Sequence, residues 1–191
     1  MNYWDDYVPG YEDDFWLQDR ANAIAWAKII LEQPFLILDT ETTGLHDKAE
    51  AVQIAVINQD GDRVFESLIN PIGDIDPKAE AIHGLGREKL IHAPSFDRVY
   101  LKLKALLESN KVLIYNADFD IRIINQQCHL NDLPSIKIYY KCVMHWYSQY
   151  CGNWSDYHQS YTWVRLPGGD HTAIGDCRAT LAVIKEMAKG I

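Results

Sequence analysis

Asp39 and Glu41 stand two residues apart where the apolar run Phe35-Leu36-Ile37-Leu38 ends. In an extended chain that spacing sends both carboxylates from the same face. Two like charges held together in a partly buried place repel and lose hydration, and a bound cation is the usual compensation. Two further acids have a defined setting. Asp120 follows the strand-like segment Lys111 to Tyr115 at the start of a helical pattern, sharing a face with Ile123, Ile124 and Gln127. Asp176 precedes Ala179, Thr180 and Val183 on an apolar stripe. Four such oxygen donors, if they converge, suit hard divalent cations, Mg²⁺ or Mn²⁺. Taken singly, a D-x-E pair reads equally as solvated acids, and an Asp at a helix start as a cap or dipole partner. Order and spacing along the chain decide between these readings.

The elements that must position these acids are legible as a pattern. A helix over Asp19 to Leu31 feeds a strand from Phe35 to Asp39, buried on both faces because its apolar residues do not alternate with polar ones. Ala51 to Asn58 and Arg63 to Asn70 flank Gln59-Asp60-Gly61-Asp62, a hairpin signal. Pro71 to Pro77 reads as a loop, followed by a short helix-and-turn segment and a helix from Ser95, the expected N-cap, to Glu108. A strand at Lys111 to Tyr115, a helix from Phe119, a strand at Lys137 to Tyr140 and a helix from Ala173 to Lys189 complete the order. The pattern predicts one α/β domain, a mixed sheet flanked by helices. Residues 1–20 read as an acidic N-terminal extension and 21–191 as the domain.

Composition narrows the function classes. A hydrophobic share of 48% and a charged share of 24% are those of a soluble globular chain. No apolar run approaches the ~18 residues of a membrane span, and the acidic N-terminus lacks the features of a secretory signal, so a cytoplasmic protein with no membrane partner is expected. Cys128, Cys142, Cys151 and Cys177 form no C-x-x-C pair and are expected as thiols. The net charge of −9 argues against a broad basic nucleic-acid face. That objection is softened by its distribution: Asp5, Asp6, Glu12, Asp13, Asp14 and Asp19 lie in the first 20 residues against Arg20 alone.

Three segments together carry a resemblance. Asp39-Thr40-Glu41-Thr42-Thr43-Gly44-Leu45, Asn116-Ala117-Asp118-Phe119-Asp120 and His171-Thr172-Ala173-Ile174-Gly175-Asp176 resemble the three motifs of the DEDDh 3'-5' exonucleases. The segment from Ala81 to Leu90 resembles that family's H-G-[IL]-x-x-E-x-L stretch, so the likeness runs from about Phe35 to Glu186. It implies a ribonuclease H-like fold, and Asp39, Glu41, Asp120 and Asp176 as ligands of two divalent cations, Mg²⁺ or Mn²⁺. It implies His171 as general base, a role an imidazole side chain commonly fills. It also implies Thr43, Gly44 and Leu45 as the seat of the terminal nucleotide and His83 as a substrate-side histidine. The substrate implied is the 3' end of single-stranded DNA or RNA, released as nucleoside 5'-monophosphates; association as a homodimer is left open.

Other readings stand beside it. Tyr161 to Leu166 runs almost directly into Pro167-Gly168-Gly169-Asp170-His171, a shorter approach than the family carries. The aromatics from Trp146 to Trp163 could stack on bases, fill a core or make a dimer contact. Cys142, His145, Cys151 and His158 could be zinc ligands, although the spacing fits no familiar pattern. Asp118 is an alternative ligand to Asp120, and His46, His92 and His129 have no motif context. D-x-E-x-T could be a distorted phosphatase motif with Asp39 as nucleophile, or the chain could be an inactive binding module of the same fold.

Overall fold

The computed structural model describes the backbone of residues 11–190 and the side chains of residues 15–190. Helix α1 (Tyr11–Leu31) leads into strand β1 (Leu36–Thr42), followed by β2 (Ala51–Asn58) and β3 (Arg63–Leu68). The turn between β2 and β3 is closed by the Asn58 side chain, which accepts from the Asp60 and Asp62 N–H groups at 3.0 and 2.9 Å. Gly61 there adopts φ 91°, a conformation suited to glycine. Helices α2 (Pro77–His83), α3 (Arg87–Leu90) and α4 (Phe96–Glu108) precede β4 (Lys111–Ile114). Then come α5 (Ala117–Leu130), β5 (Tyr139–Cys142), α6 (Val143–Cys151), the short strands β6 (Trp154–Ser155) and β7 (Ser160–Tyr161), and α7 (Ala173–Lys189).

The main sheet has the order β3-β2-β1-β4-β5, antiparallel on the hairpin side and parallel from β1 to β5. This mixed sheet between helical layers is the ribonuclease H-like arrangement that the motifs imply. Strand β1 is its spine and is buried on both faces. Leu36 and Leu38 face the cluster built by α4 and α5, whereas Ile37 faces the cluster built by α1, α6 and α7. Each such fully buried aliphatic side chain contributes about 1.5–3 kcal/mol. The two-sided burial explains why the run Phe35 to Leu38 lacks polar alternation.

Several element bounds differ from the sequence pattern by one or two residues, and three differences have a structural cause. Strand β1 does not end at Asp39 but continues to Thr42, because β2 pairs with it residue by residue as far as Glu41↔Gln53 before a register shift. Helix α1 begins at Tyr11 rather than Asp19, so the expected boundary at residue 20 falls inside one helix. Its early part has partners: Trp16 meets Trp154 and Tyr161 edge-on at 5.1 and 5.6 Å, and the Tyr161 hydroxyl donates to Asp19 at 2.7 Å. Residues 1–10 lie outside the described residues. Strand β5 starts at Tyr139, two residues late, where it can pair in parallel with Lys111. Among the described residues no helix is long and apolar enough to cross a membrane.

Candidate active site

The acids meet because α7 packs its apolar face on β1 and β2 and its first residue is tied to β2 by a glutamine. Gln53, opposite Glu41 on β2, accepts at 3.1 Å from the N–H of Ala173, the first residue of α7. Thr172 caps that helix, its hydroxyl accepting from the Gly175 N–H at 3.1 Å. Asp176 thereby comes over the face of β1 that bears Asp39 and Glu41. The three carboxylates each offer an oxygen, and these oxygens lie within 4.8 Å of one another. One Asp176 oxygen accepts from the Asp170 and His171 N–H groups at 2.9 and 3.2 Å. Two glycines permit this approach. A Cβ at Gly169 would lie 2.9 Å from Asp176 Oδ1, and one at Gly175 would lie 2.0 Å from Asp170 Oδ1.

Asp120, buried in the first turn of α5, stands beside this group rather than within it. Its carboxylate accepts from the Thr40 hydroxyl at 2.7 Å and is near enough to the other acids for their charges to interact. Burial and mutual repulsion dominate the electrostatics. Asp39 is held well above the usual carboxylate range by burial first, then by Asp120, Asp176 and Glu41. Glu41 is pushed up to about 8, again by burial first and then by Asp176 and Asp120. Burial also raises Asp120, and the hydrogen bond from Thr40 partly offsets it. The salt bridges among the described residues leave all four acids out. Clustered acids without a cationic side chain, offering only oxygen donors, fit a divalent cation of the Mg²⁺ or Mn²⁺ kind.

His171 stands beside Asp176, to which its N–H donates. It adopts φ 60° after Gly168 at φ 76°, and its Nε2 lies 3.0 Å from Arg165 Nη2. A guanidinium only donates, so Nε2 is the acceptor and carries a lone pair. The short approach to this histidine is tied to the sheet by Tyr115, whose hydroxyl donates to the Val164 carbonyl at 2.8 Å.

A cleft of about 490 Å³ opens beside the acids, lined by Glu41, Gly44, Leu45, Ile82, Phe119 and His171 among others. Leu45 and Ile82 are 81% and 57% exposed, apolar groups that face the open cleft rather than the core. The Leu45 loop is held by Arg122, which donates to the carbonyls of His46 and Leu45 at 3.1 and 3.4 Å. Gly44 is a close approach: a Cβ there would meet His46 at 3.3 Å and Asp76 at 3.4 Å. His83 lines the cleft with both ring nitrogens engaged. Nδ1 accepts from the Leu85 N–H at 3.0 Å, so Nε2 donates to the Thr42 carbonyl at 3.0 Å, and burial holds its pKa below the ordinary value.

Not every residue singled out from the sequence lines this cleft. Thr43 is buried, its N–H donating to the Glu50 carbonyl, its carbonyl accepting from Asp76 and its hydroxyl accepting from the Glu50 N–H. It shapes the loop from within. Asp118 is exposed and outside the acid group, because two residues of helix turn it to the face opposite the buried Asp120. Cys142, His145, Cys151 and His158 are not brought together as a metal group among the described residues. His92 and His129 are exposed, whereas His46 lines the cleft, a placement set by the loop and invisible in its local sequence. Gln53 and Arg122 were also missed, since each acts through a partner distant along the chain, as was Arg165, whose partner His171 lies only six residues on but outside any regular element.

The RNase T family model, an exonuclease model, matches residues 36–184. The uncharacterized exonuclease CP81 of Escherichia phage 186 is 34% identical over 181 residues, 86% of this chain and 93% of that protein. DNA polymerase III subunit epsilon of Rickettsia conorii is 35% identical over 109 residues, 54% of this chain; the match spans about half of that subunit, 47% of its length. Among solved structures, Exonuclease X in complex with 5' overhanging duplex DNA superposes with a TM-score of 0.55 at 26% identity, covering 81% of this chain and 91% of that one. E. coli Exonuclease I in complex with a dA16 oligonucleotide gives 0.64 at 18% identity over 82% of this chain and 42% of that one, a likeness of fold.

Proposed function

The chain belongs to the RNase T exonuclease family, of the DEDDh 3'-5' class, and from that membership we propose that it hydrolyses the 3'-terminal phosphodiester of single-stranded DNA or RNA. Nucleoside 5'-monophosphates leave one at a time. The observation that carries this reading is the group of Asp39, Glu41 and Asp176 oxygens within 4.8 Å, at the side of a cleft that ends in exposed apolar groups.

Asp39, Glu41, Asp120 and Asp176 would hold two divalent cations, Mg²⁺ or Mn²⁺. Such cations, when bound, polarise the scissile phosphate and make water more acidic. The protein's own groups do the rest. His171 accepts the proton of the attacking water through a ring nitrogen, which for Nε2 requires release of its hydrogen bond from Arg165. Gly44 lets the backbone approach the terminal nucleotide, and Leu45 and Ile82 receive its base on apolar surface. His83 fixes the end of β1 through the Thr42 carbonyl, and Thr43 holds the nucleotide loop in shape.

A 5'-labelled oligonucleotide incubated with Mg²⁺ or Mn²⁺ is expected to shorten stepwise, with matched DNA and RNA strands ranking the two sugars. Asp39→Asn is expected to abolish the ladder. Tight binding of the strand with no shortening under either metal would instead favour the inactive binding module.

A further inference from the structure

A second cavity, about 430 Å³, lies beyond the first turn of α5 from the cleft. Asn116 and Asp118 line it, whereas Phe119, between Asp118 and Asp120, lines the cleft. The start of α5 therefore stands between the two. The cavity's far walls come from Trp154 and Tyr161 of the β6–β7 hairpin, from Trp163 just after it, and from α6. Trp163 is 79% exposed, a large aromatic face left to solvent at the rim.

Its interior holds an unsatisfied group. Ser148 on α6 lines the cavity, is 3% exposed, and its hydroxyl has no hydrogen-bond partner among the described residues. A buried hydroxyl without a partner is destabilising and marks a place where another molecule supplies the partner. Asn116, held at φ 62°, caps α5 without a side-chain hydrogen bond, which leaves its amide for a ligand. Asp118 and Asp19 also border the cavity. Their negative charge disfavours a phosphate there and suits a neutral ring carrying N–H donors. Aromatic walls, hydroxyl and amide groups, and acceptor carboxylates together describe a nucleobase site.

We propose that this cavity receives a base of the substrate strand on the 5' side of the scissile phosphate, stacked against the tryptophans and hydrogen-bonded at its edge by Ser148 and Asn116. The assignment rests on the exonuclease reading. It makes the β6–β7 hairpin, the segment just before the shortened approach to His171, a second substrate grip. The acceptor-rich edge favours adenine, cytosine or guanine over thymine or uracil at that position, since only the former carry exocyclic amino donors.

The test uses an oligonucleotide with the fluorescent base 2-aminopurine placed in turn at each of several positions from the 3' end, bound with Ca²⁺ in place of Mg²⁺ to slow turnover. Stacking on tryptophan quenches it. Quenching is expected at an interior position next to the terminal nucleotide, lost in Trp163→Ala and kept in Tyr157→Ala, whose ring is 90% exposed and outside the cavity. Oligonucleotide kcat/KM in Mg²⁺ should fall on the order of tenfold in Trp163→Ala, within the range for one base–aromatic stack. Ser148→Ala should weaken binding while leaving the melting temperature equal or higher, because an unpartnered hydroxyl is removed. Normal stepwise shortening with quenching and kcat/KM unchanged in Trp163→Ala overturns the inference alone. A wild-type protein that shortens no strand with any divalent metal overturns the exonuclease reading first.

Discussion

Glu41→Gln is expected to stabilise the metal-free protein while destroying its activity. The Glu41 carboxyl titrates at 4.5 in an open chain and at about 8 in the fold, chiefly through burial and then through Asp176 and Asp120. Between those values the folded state keeps a proton that the unfolded state releases, so stability falls as pH rises, by about 1.4 kcal/mol per pH unit. The folded state is free of this penalty below the lower value, and the penalty is complete above the upper one. At about pH 7 it amounts to roughly 3 kcal/mol, an upper limit because neighbouring acids share the same protons. Glutamine keeps the shape without the charge. For a chain of this size 1 kcal/mol moves Tm by about 2–4 °C, so the variant in EDTA should melt roughly 5–10 °C above wild type near neutrality. The gain should vanish near the ordinary carboxyl pKa. Thermal melts across pH, followed by circular dichroism, read this directly. An unchanged or lower Tm near neutrality, or a gain that persists in acid, would show that Glu41 is not strained by its neighbours. Adding Mn²⁺ should narrow or reverse the difference, since a ligand that binds only the fold stabilises by mass action and the wild type binds it better.

Three further outcomes follow from the same geometry. Gly169→Ala would place a Cβ 2.9 Å from Asp176 Oδ1, so it should lower metal-dependent activity at least about tenfold, the effect of a slightly misplaced ligand, with little change in Tm. Thr40→Val removes the 2.7 Å hydrogen bond to the Asp120 carboxylate; Asp120 becomes harder to ionise, and the acid limb of the kcat/KM profile should move to higher pH. Glu50→Ala removes the buried carboxylate that accepts from the Ile72 and Gly73 N–H groups at 3.0 and 2.6 Å, and chemical denaturation should show a loss of about 2–3 kcal/mol.

Much of the site is legible in the sequence because its chemistry is local. Asp39 and Glu41 lie on one strand, Asp120 and Asp176 lie in first turns of helices, and His171 precedes its helix cap, so short motifs carry all five. The element order is legible for a related reason, since the unbroken apolar run of β1, bounded by Pro34, reads as a short strand covered on both faces. What escaped depends on contacts made across the fold. Gln53 acts on a helix 120 residues away, and Arg122 on a loop 76 residues earlier. Thr43 sits in the nucleotide-loop motif yet is buried, because β1 runs on past the acids and Glu50 claims its hydrogen-bonding groups. The β6–β7 hairpin has strands of two residues each, too short for periodicity to announce. The early part of α1 looked like a separate acidic tail because its apolar partners, Trp154 and Tyr161, come from that same hairpin.

The central claim is that Asp39, Glu41, Asp120 and Asp176 form one cation site that the nuclease activity requires. Titration of Mn²⁺ into the protein in the presence of a nucleoside 5'-monophosphate, read by calorimetry alongside oligonucleotide digestion, tests it most directly. The account predicts two bound cations per chain, fewer in Asp39→Asn, and digestion that appears with metal occupancy. Full digestion in EDTA, or unchanged Mn²⁺ binding in Asp39→Asn, would contradict it.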